Sequence, residues 1–196
     1  MTQHIGVLFA DLRGFTERLD GGDPQAATML LRRFYRCAED VLFPEAVIDK
    51  LIGDEVMALY LPDLKPSISR GDVPAQMLDH AVELLSAVGY GSDSGPFVEL
   101  GIGMDVGEAF VGNIGQRALY DFTAVGDVVN TASRLQSQAA GGEILLSERV
   151  AAGLPATVGI REELELKGKR ERQIAFRVPR AGSPAATDSS FVDSTT

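Results

Sequence analysis

The run Ile5-Gly6-Val7-Leu8-Phe9-Ala10 passes without a polar step into Asp11-Leu12-Arg13-Gly14-Phe15-Thr16. An apolar stretch of that length suits a strand buried on both faces, and the carboxylate and glycine turn that follow mark where the strand reaches a rim. An aspartate in this place either caps the next helix or presents its charge for chemistry at the rim.

A second acid weighs on that choice. Val47-Ile48-Asp49-Lys50-Leu51-Ile52-Gly53-Asp54-Glu55-Val56-Met57-Ala58-Leu59-Tyr60 is two apolar runs around a tight glycine turn, which predicts a β-hairpin. In a ferredoxin-like βαββαβ unit the hairpin's second strand pairs antiparallel with the first strand of the chain, so the end of one meets the start of the other. Asp11 and Asp54 then stand side by side. Two carboxylates with no His or Cys nearby make a hard oxygen site, suited to Mg²⁺ or Mn²⁺ carrying substrate phosphates rather than to Zn²⁺.

The elements between and after these acids follow from periodicity and punctuation. Asp23 and Pro24 read as N-cap and first helical residue of a helix reaching about Leu42, with Ala27, Leu31, Phe34, Ala38 and Val41 on one face. Cys37, the single cysteine, falls on that apolar stripe and cannot form an intrachain disulfide. The proline-rich stretch 61–75 is a loop, and a second helix over 74–88 shows Met77, Ala81, Leu84, Leu85 and Val88 on one side. Residues 97–104 and 108–114 are predicted as two strands joined around Asp105-Val106-Gly107. Asp127 reads as the N-cap, and Gly141 as the C′ residue, of a helix that turns Val128, Ala132, Leu135 and Ala139 to the core. Asn130 and Arg134, four apart, then stack on the other side, at ~200° from Val128. A short strand at 143–146, a short helix at 147–152 and a hairpin of 163–167 with 173–178 close the fold. These elements give an α+β class: a ferredoxin-like core with a C-terminal αβαββ extension.

At 196 residues, with 45% apolar and 23% charged residues, the chain suits one domain over 1–180; the Ala-, Ser- and Thr-rich stretch 181–196 has little to bury and is expected to be a disordered tail. The net charge of -10 disfavours nucleic acid or an anionic membrane as partner. No leader and no span of membrane-crossing length are read in the sequence, so a cytoplasmic location is expected.

Together these pieces resemble the catalytic domain of class III nucleotidyl cyclases, the adenylyl and guanylyl cyclases. The resemblance covers about residues 5–179. It is carried by Phe9-Ala10-Asp11-Leu12-Arg13-Gly14-Phe15-Thr16, Asp49-Lys50-Leu51-Ile52-Gly53-Asp54, Gly112-Asn113-Ile114-Gly115, the stretch 121–130 with Arg134, and Leu166-Lys167-Gly168-Lys169. It implies that Asp11, Asp54 and the Leu12 carbonyl hold two Mg²⁺ or Mn²⁺ ions. Backbone N–H groups of Gly14, Phe15 and Thr16 would meet the triphosphate, Asn130 would place the ribose, Arg134 would steady charge on the α-phosphate, and Lys167 would approach the terminal phosphates. The implied reaction is in-line attack of the ribose 3′-hydroxyl on the α-phosphate, giving cyclic nucleotide and pyrophosphate. It also implies a homodimer in which one chain supplies the metal acids and the other the purine, ribose and transition-state residues.

Base choice rests on Lys50 and Thr123, which match the family's purine-reading positions. An ammonium only donates, so Lys50 favours the N1 acceptor of adenine over the N1–H of guanine, whereas a hydroxyl does both and discriminates less. ATP is the expected substrate, with some use of GTP. One departure stands out: where relatives carry a phosphate-binding arginine between Gly115 and Asp121, this chain has Ala118 and Leu119, with Arg117 one position away. That departure keeps a second reading open, a weak or inactive cyclase-like module that binds nucleotide or dimerises and regulates a partner. A ferredoxin-like RNA-binding domain is disfavoured by charge and by the lack of an aromatic pair on a strand facing a basic surface. A polymerase-like palm is disfavoured because nothing resembles its glycine-rich acidic hairpin.

Overall fold

Strand β1 (Thr2–Leu12) pairs antiparallel on one side with β3 (Glu55–Tyr60) and on the other with β4 (Leu100–Asn113), so every residue from Gly6 to Asp11 has neighbours on both flanks. The structure is a computed structural model that describes residues 1–15, 22–65, 69–114, 122–154, 158–169 and 171–178. Its sheet runs β2 (Val47–Ile52), β3, β1, β4, β6 (Ile144–Ser147), β8 (Gln173–Val178), β7 (Ile160–Leu164), with β5 (Phe122–Val125) pairing with β4 off that path. The first four strands, with α1 (Pro24–Leu42) and α2 (Val73–Ala87) in the crossovers, form the expected βαββαβ unit.

Both faces of β1 are covered, which is why its sequence does not alternate. Leu8, Ala10 and Leu12 pack with Phe34, Ala38 and Leu42 of α1 and Met77, Ala81 and Leu84 of α2. Ile5, Val7 and Phe9 face the other way, with Met57 and Leu59 of β3, Ala124 of β5, and Val128 and Ala132 of α3 (Asp127–Gln138). Helix α1 begins where expected: Asp23 accepts a hydrogen bond from the Gln25 N–H at 2.9 Å and Pro24 opens the first turn. Gly53 turns the β2–β3 hairpin with φ of 63°, a backbone state that a side chain disfavours. Cys37 is half-buried against the α1–α2 side of the core, its thiol facing the Ala87 carbonyl at 3.6 Å, and burial pushes its pKa up.

The structure corrects the expected elements at several points. The two strands over 97–104 and 108–114 are one strand, β4. The supposed turn is its middle: Asp105 pairs with Val7 and Gly107 with Ile5. Asp105 can sit in a strand because its fully buried carboxylate receives Nε of Arg149 at 3.0 Å and a second hydrogen bond from the same guanidinium. Strand β5 was not expected, so the extension reads βαβαββ. Strand β7 lies three residues earlier than predicted, because 165–169 form a turn in which the Lys169 N–H donates to the Leu166 carbonyl at 3.0 Å. Asp127 is the first residue of α3 and Gly126 its cap, and the helix ends at Gln138 with Ala139 extended, so Gly141 is not its C′ residue. Helix α4 (Glu148–Ala152) starts after Ser147, whose hydroxyl accepts from Val150 at 3.1 Å. No helix among the described residues is long and apolar enough to cross a membrane. The predicted tail, Thr16, Arg117 and the stretch holding Ala118 and Leu119 lie outside the described residues.

Candidate active site

The antiparallel register brings the acids together. Asp11 stands directly across from Glu55, and the N–H of Leu12 donates to the carbonyl of Asp54 at 3.3 Å, so Asp54, in the turn just before β3, lies beside the end of β1. Burial and then repulsion from Asp54 raise the pKa of Asp11. Glu55, which the sequence reading passed over, is pushed up to about 7 by burial and by Asp11 and Asp54. A hard divalent cation fits this crowding, since it relieves burial cost and repulsion at once. Among the described residues no three His, Cys, Asp or Glu side chains converge as a metal cage. Oxygen donors of this kind would fit a hard cation such as Mg²⁺ only with water or substrate oxygens completing its shell. Gly14, exposed with φ of 70°, and the buried Phe15 follow at once from β1.

Arg13 was also missed. Its Nη1 lies 3.4 Å from Asp11 Oδ2, and its Nη2 donates to the Gln136 carbonyl near the end of α3. It runs over Gly101, where a Cβ would overlap the guanidinium. This arginine ties the acidic rim to the helix that carries the next two residues.

Helix α3 lies close on β4 because Gly103 offers no side chain; a Cβ there would overlap the helix backbone at Ala132 and Gln136. Val128, Ala132 and Leu135 are buried beneath it, as the spacing predicted. Asn130 is exposed on the outer face and Arg134 is half-buried. The Arg134 head rests at the turn after β7: a Cβ on Gly168 would come within 3.2 Å of its Nη2. Lys167 is exposed and directly precedes Gly168, at the turn where the Arg134 head rests. Lys169 instead holds Asp127, with Nζ at 2.6 and 2.7 Å from the two carboxylate oxygens.

Lys50 and Thr123, 73 positions apart, meet through a third residue. Asp49 Oδ2 accepts the Thr123 hydroxyl at 2.7 Å and lies 3.8 Å from Lys50 Nζ. Strand β5 reaches β2 because it comes back over the face that holds Val47, Ala124 and Val111. The acid beside Lys50 was visible in the sequence; the contact was not, since it depends on β5, which the sequence pattern hid.

The sheet, with paired acids at one rim and the Asn130–Arg134 helix packed on it, has the architecture of a nucleotidyl cyclase catalytic domain. Residues 1–178 match the family model described as the adenylate and guanylate cyclase catalytic domain, and the chain belongs to that family. It is 29% identical over 186 residues to an adenylate cyclase of Anabaena cylindrica, covering 90% of this chain and 37% of that protein. An adenylate cyclase of Mycobacterium tuberculosis (strain ATCC 25618 / H37Rv) is likewise 29% identical over 168 residues, covering 83% of this chain and 37% of its own. The chain thus spans little more than a third of the length of these curated relatives. Among solved structures, the guanylyl cyclase Cya2 superposes with a TM-score of 0.79 at 28% identity, covering 94% of this chain and 95% of that one. The adenylyl cyclase CyaB from P. aeruginosa gives 0.75 at 26% identity, covering 93% and 98%.

Proposed function

We propose that this chain is an adenylyl cyclase domain that converts ATP to 3′,5′-cyclic AMP and pyrophosphate in a homodimer, each site taking its metal acids from one protomer and its base, ribose and transition-state residues from the other. The observation that supports it most is the way these residues face within one chain. Asp11 and Asp54 crowd at the end of β1, while Asn130 and Arg134 stand on the outer side of α3, away from the protomer's own core.

Asp11, Asp54 and the Leu12 carbonyl are the groups that would hold two Mg²⁺ or Mn²⁺ ions. Bound there, such ions lower the pKa of the ribose 3′-hydroxyl and clamp the triphosphate. The backbone N–H groups of Gly14, Phe15 and Thr16 bind phosphate oxygens. Arg134, its head near the Gly168 turn, meets the charge that grows on the α-phosphate, and Lys167, next to Gly168 in the chain, neutralises the terminal phosphates. Asn130 fixes the ribose so that its hydroxyl is in line. Lys50 donates to adenine N1, and Thr123 serves the 6-position. Arg117 takes the part of the phosphate arginine, whose usual position holds Ala118 or Leu119.

The test is incubation of purified protein with ATP or GTP and Mn²⁺ or Mg²⁺, with cyclic nucleotide measured beside Asp54→Ala and Arg134→Ala. Cyclic AMP is expected from the wild type, none from Asp54→Ala, and ~10²–10³-fold less from Arg134→Ala. Mixing the two variants should restore about a quarter of wild-type activity, because random pairing makes half the dimers mixed and each holds one intact site. No product from either nucleotide leaves the second reading, a regulatory binding module, which the Ala118 and Leu119 departure favours. Absence of rescue rejects the shared site.

A further inference from the structure

Asp49 is the residue inserted by a β-bulge. The β2–β3 register steps from Ile48 opposite Ala58 to Lys50 opposite Met57, and Asp49 lies between. A bulge breaks the two-residue alternation of a strand and re-aims the side chains beside it. Here the Asp49 side chain, 1% exposed, and Lys50 approach each other, and the Asp49 carboxylate takes the hydroxyl of Thr123 from across the molecule at 2.7 Å. A threonine hydroxyl has one proton to give, and a carboxylate can only accept. The direction of this hydrogen bond is therefore fixed: Thr123 donates to Asp49.

We propose that Asp49 is a specificity-determining positioning residue, which by holding the only proton of the Thr123 hydroxyl leaves that oxygen able only to accept from the purine base. The inference rests on the reading of Lys50 and Thr123 as the base-contacting pair. Adenine carries an acceptor at N1 and donor N–H groups on its 6-amino substituent; guanine carries a donor at N1 and an acceptor at O6. A donor-only Lys50 opposite N1 and an acceptor-only Thr123 opposite the 6-position match adenine at both points and oppose guanine at both. A freely rotating hydroxyl would tolerate either base. Asp49 thus turns an indiscriminate group into one half of a two-point reader, without touching the nucleotide.

The experiment compares kcat/KM with Mn²⁺ for ATP, GTP and purine riboside triphosphate, which keeps N1 but lacks the 6-amino group, in wild type and Asp49→Asn. The Asn side chain keeps the shape but can donate to Thr123, which frees the hydroxyl proton to turn toward the base. Wild type should prefer ATP over both other nucleotides, and both preferences should shrink about tenfold in Asp49→Asn, the scale of one hydrogen bond made or lost. Preferences kept within twofold, whatever happens to Tm, would make the bond a mere tie between β2 and β5 and overturn the proposal. Should the wild type form no cyclic product, the cyclase reading fails on its own, and calorimetric binding of the same three nucleotides decides for Asp49 by the same tenfold criterion. A wild type that shows no base preference in turnover or binding also overturns it. If Asp49→Asn does not fold, Thr123→Val removes the acceptor itself and should abolish the preference for ATP over purine riboside triphosphate; a preference retained there refutes the role.

Discussion

At the end of β1, Asp11, Asp54 and Glu55 crowd together, and among the described residues Asp11 is paired at 3.4 Å with Arg13; on the flank where α3 meets the C-terminal strands, acids are matched to cations. There Asp105 is gripped by Arg149, Asp127 by Lys169, and Glu143 and Glu162 by Arg177. The pKa values diverge accordingly: Asp11 and Glu55 are raised by burial and mutual repulsion, whereas the Lys169 hydrogen bond lowers Asp127. The difference separates two uses of charge. Matched pairs fasten elements, while carboxylates held together against their own repulsion are, on the function proposed above, the groups that would take a cation.

The largest effects should fall on opposite observables in the two regions. Arg134→Ala should lower kcat by ~10²–10³, as loss of one preorganised transition-state contact does, and Asp54→Asn should bring cyclase activity below detection. Both variants should melt no lower than wild type, since neither breaks a matched pair; a large drop in Tm for Asp54→Asn would break the contrast. Arg149→Ala is its mirror image. It leaves the fully buried Asp105 carboxylate without its cation, at a cost of about 3–5 kcal/mol, while the activity of molecules that remain folded stays near wild type. Chemical denaturation read beside specific activity checks both halves.

A smaller effect sharpens the assignment of the rim. Mn²⁺ at ten times its Kd should stabilise the wild-type fold by about 1.4 kcal/mol, a Tm rise of about 3–6 °C in a domain of this size. Asp11→Asn and Asp54→Asn should abolish the rise, and Asp127→Asn should keep it. A rise that survives the rim variants would place the ion elsewhere.

How much of this was legible in the sequence follows the same division. Asp11 and Asp54 could be paired because Ile5–Ala10 of β1 is an uninterrupted apolar run and Gly53 a sharp turn, both local signals that bear on topology. The outward side of α3 was equally plain, since Asn130 and Arg134 follow from a 3.6-residue period. What failed were local signals overridden by distant partners. Asp105-Val106-Gly107 has turn chemistry, yet β4 runs straight through it because Arg149, 44 positions on, neutralises the buried acid. Asp49 carries no role of its own in the sequence pattern, because its contact with Thr123 depends on β5, a four-residue strand. Periodicity reports which face a residue takes; it does not report which remote side chain makes that face tolerable.

The finest test of the contrast is the pH dependence of stability without divalent ions, where the two regions have opposite sign. Glu55 is raised from 4.5 to about 7 in the fold, so its ionisation favours the unfolded chain. Its contribution is most favourable below pH 4.5 and is lost as pH rises toward about 7. Glu55→Gln should flatten that limb of a Tm-against-pH curve, and so should saturating Mn²⁺ if the ion's charge offsets the repulsion. Asp127 is lowered from 3.8, so its contribution is present above that value and is lost as pH falls through and below it. Because Asp127 is exposed, with 58% of its side chain accessible, solvent screens the pair, and Asp127→Asn should flatten only the acid limb and by the smaller amount. Equal effects of the two substitutions, or the same sign for both, would mean that the rim acids are fastened like the rest and are not arranged for a cation.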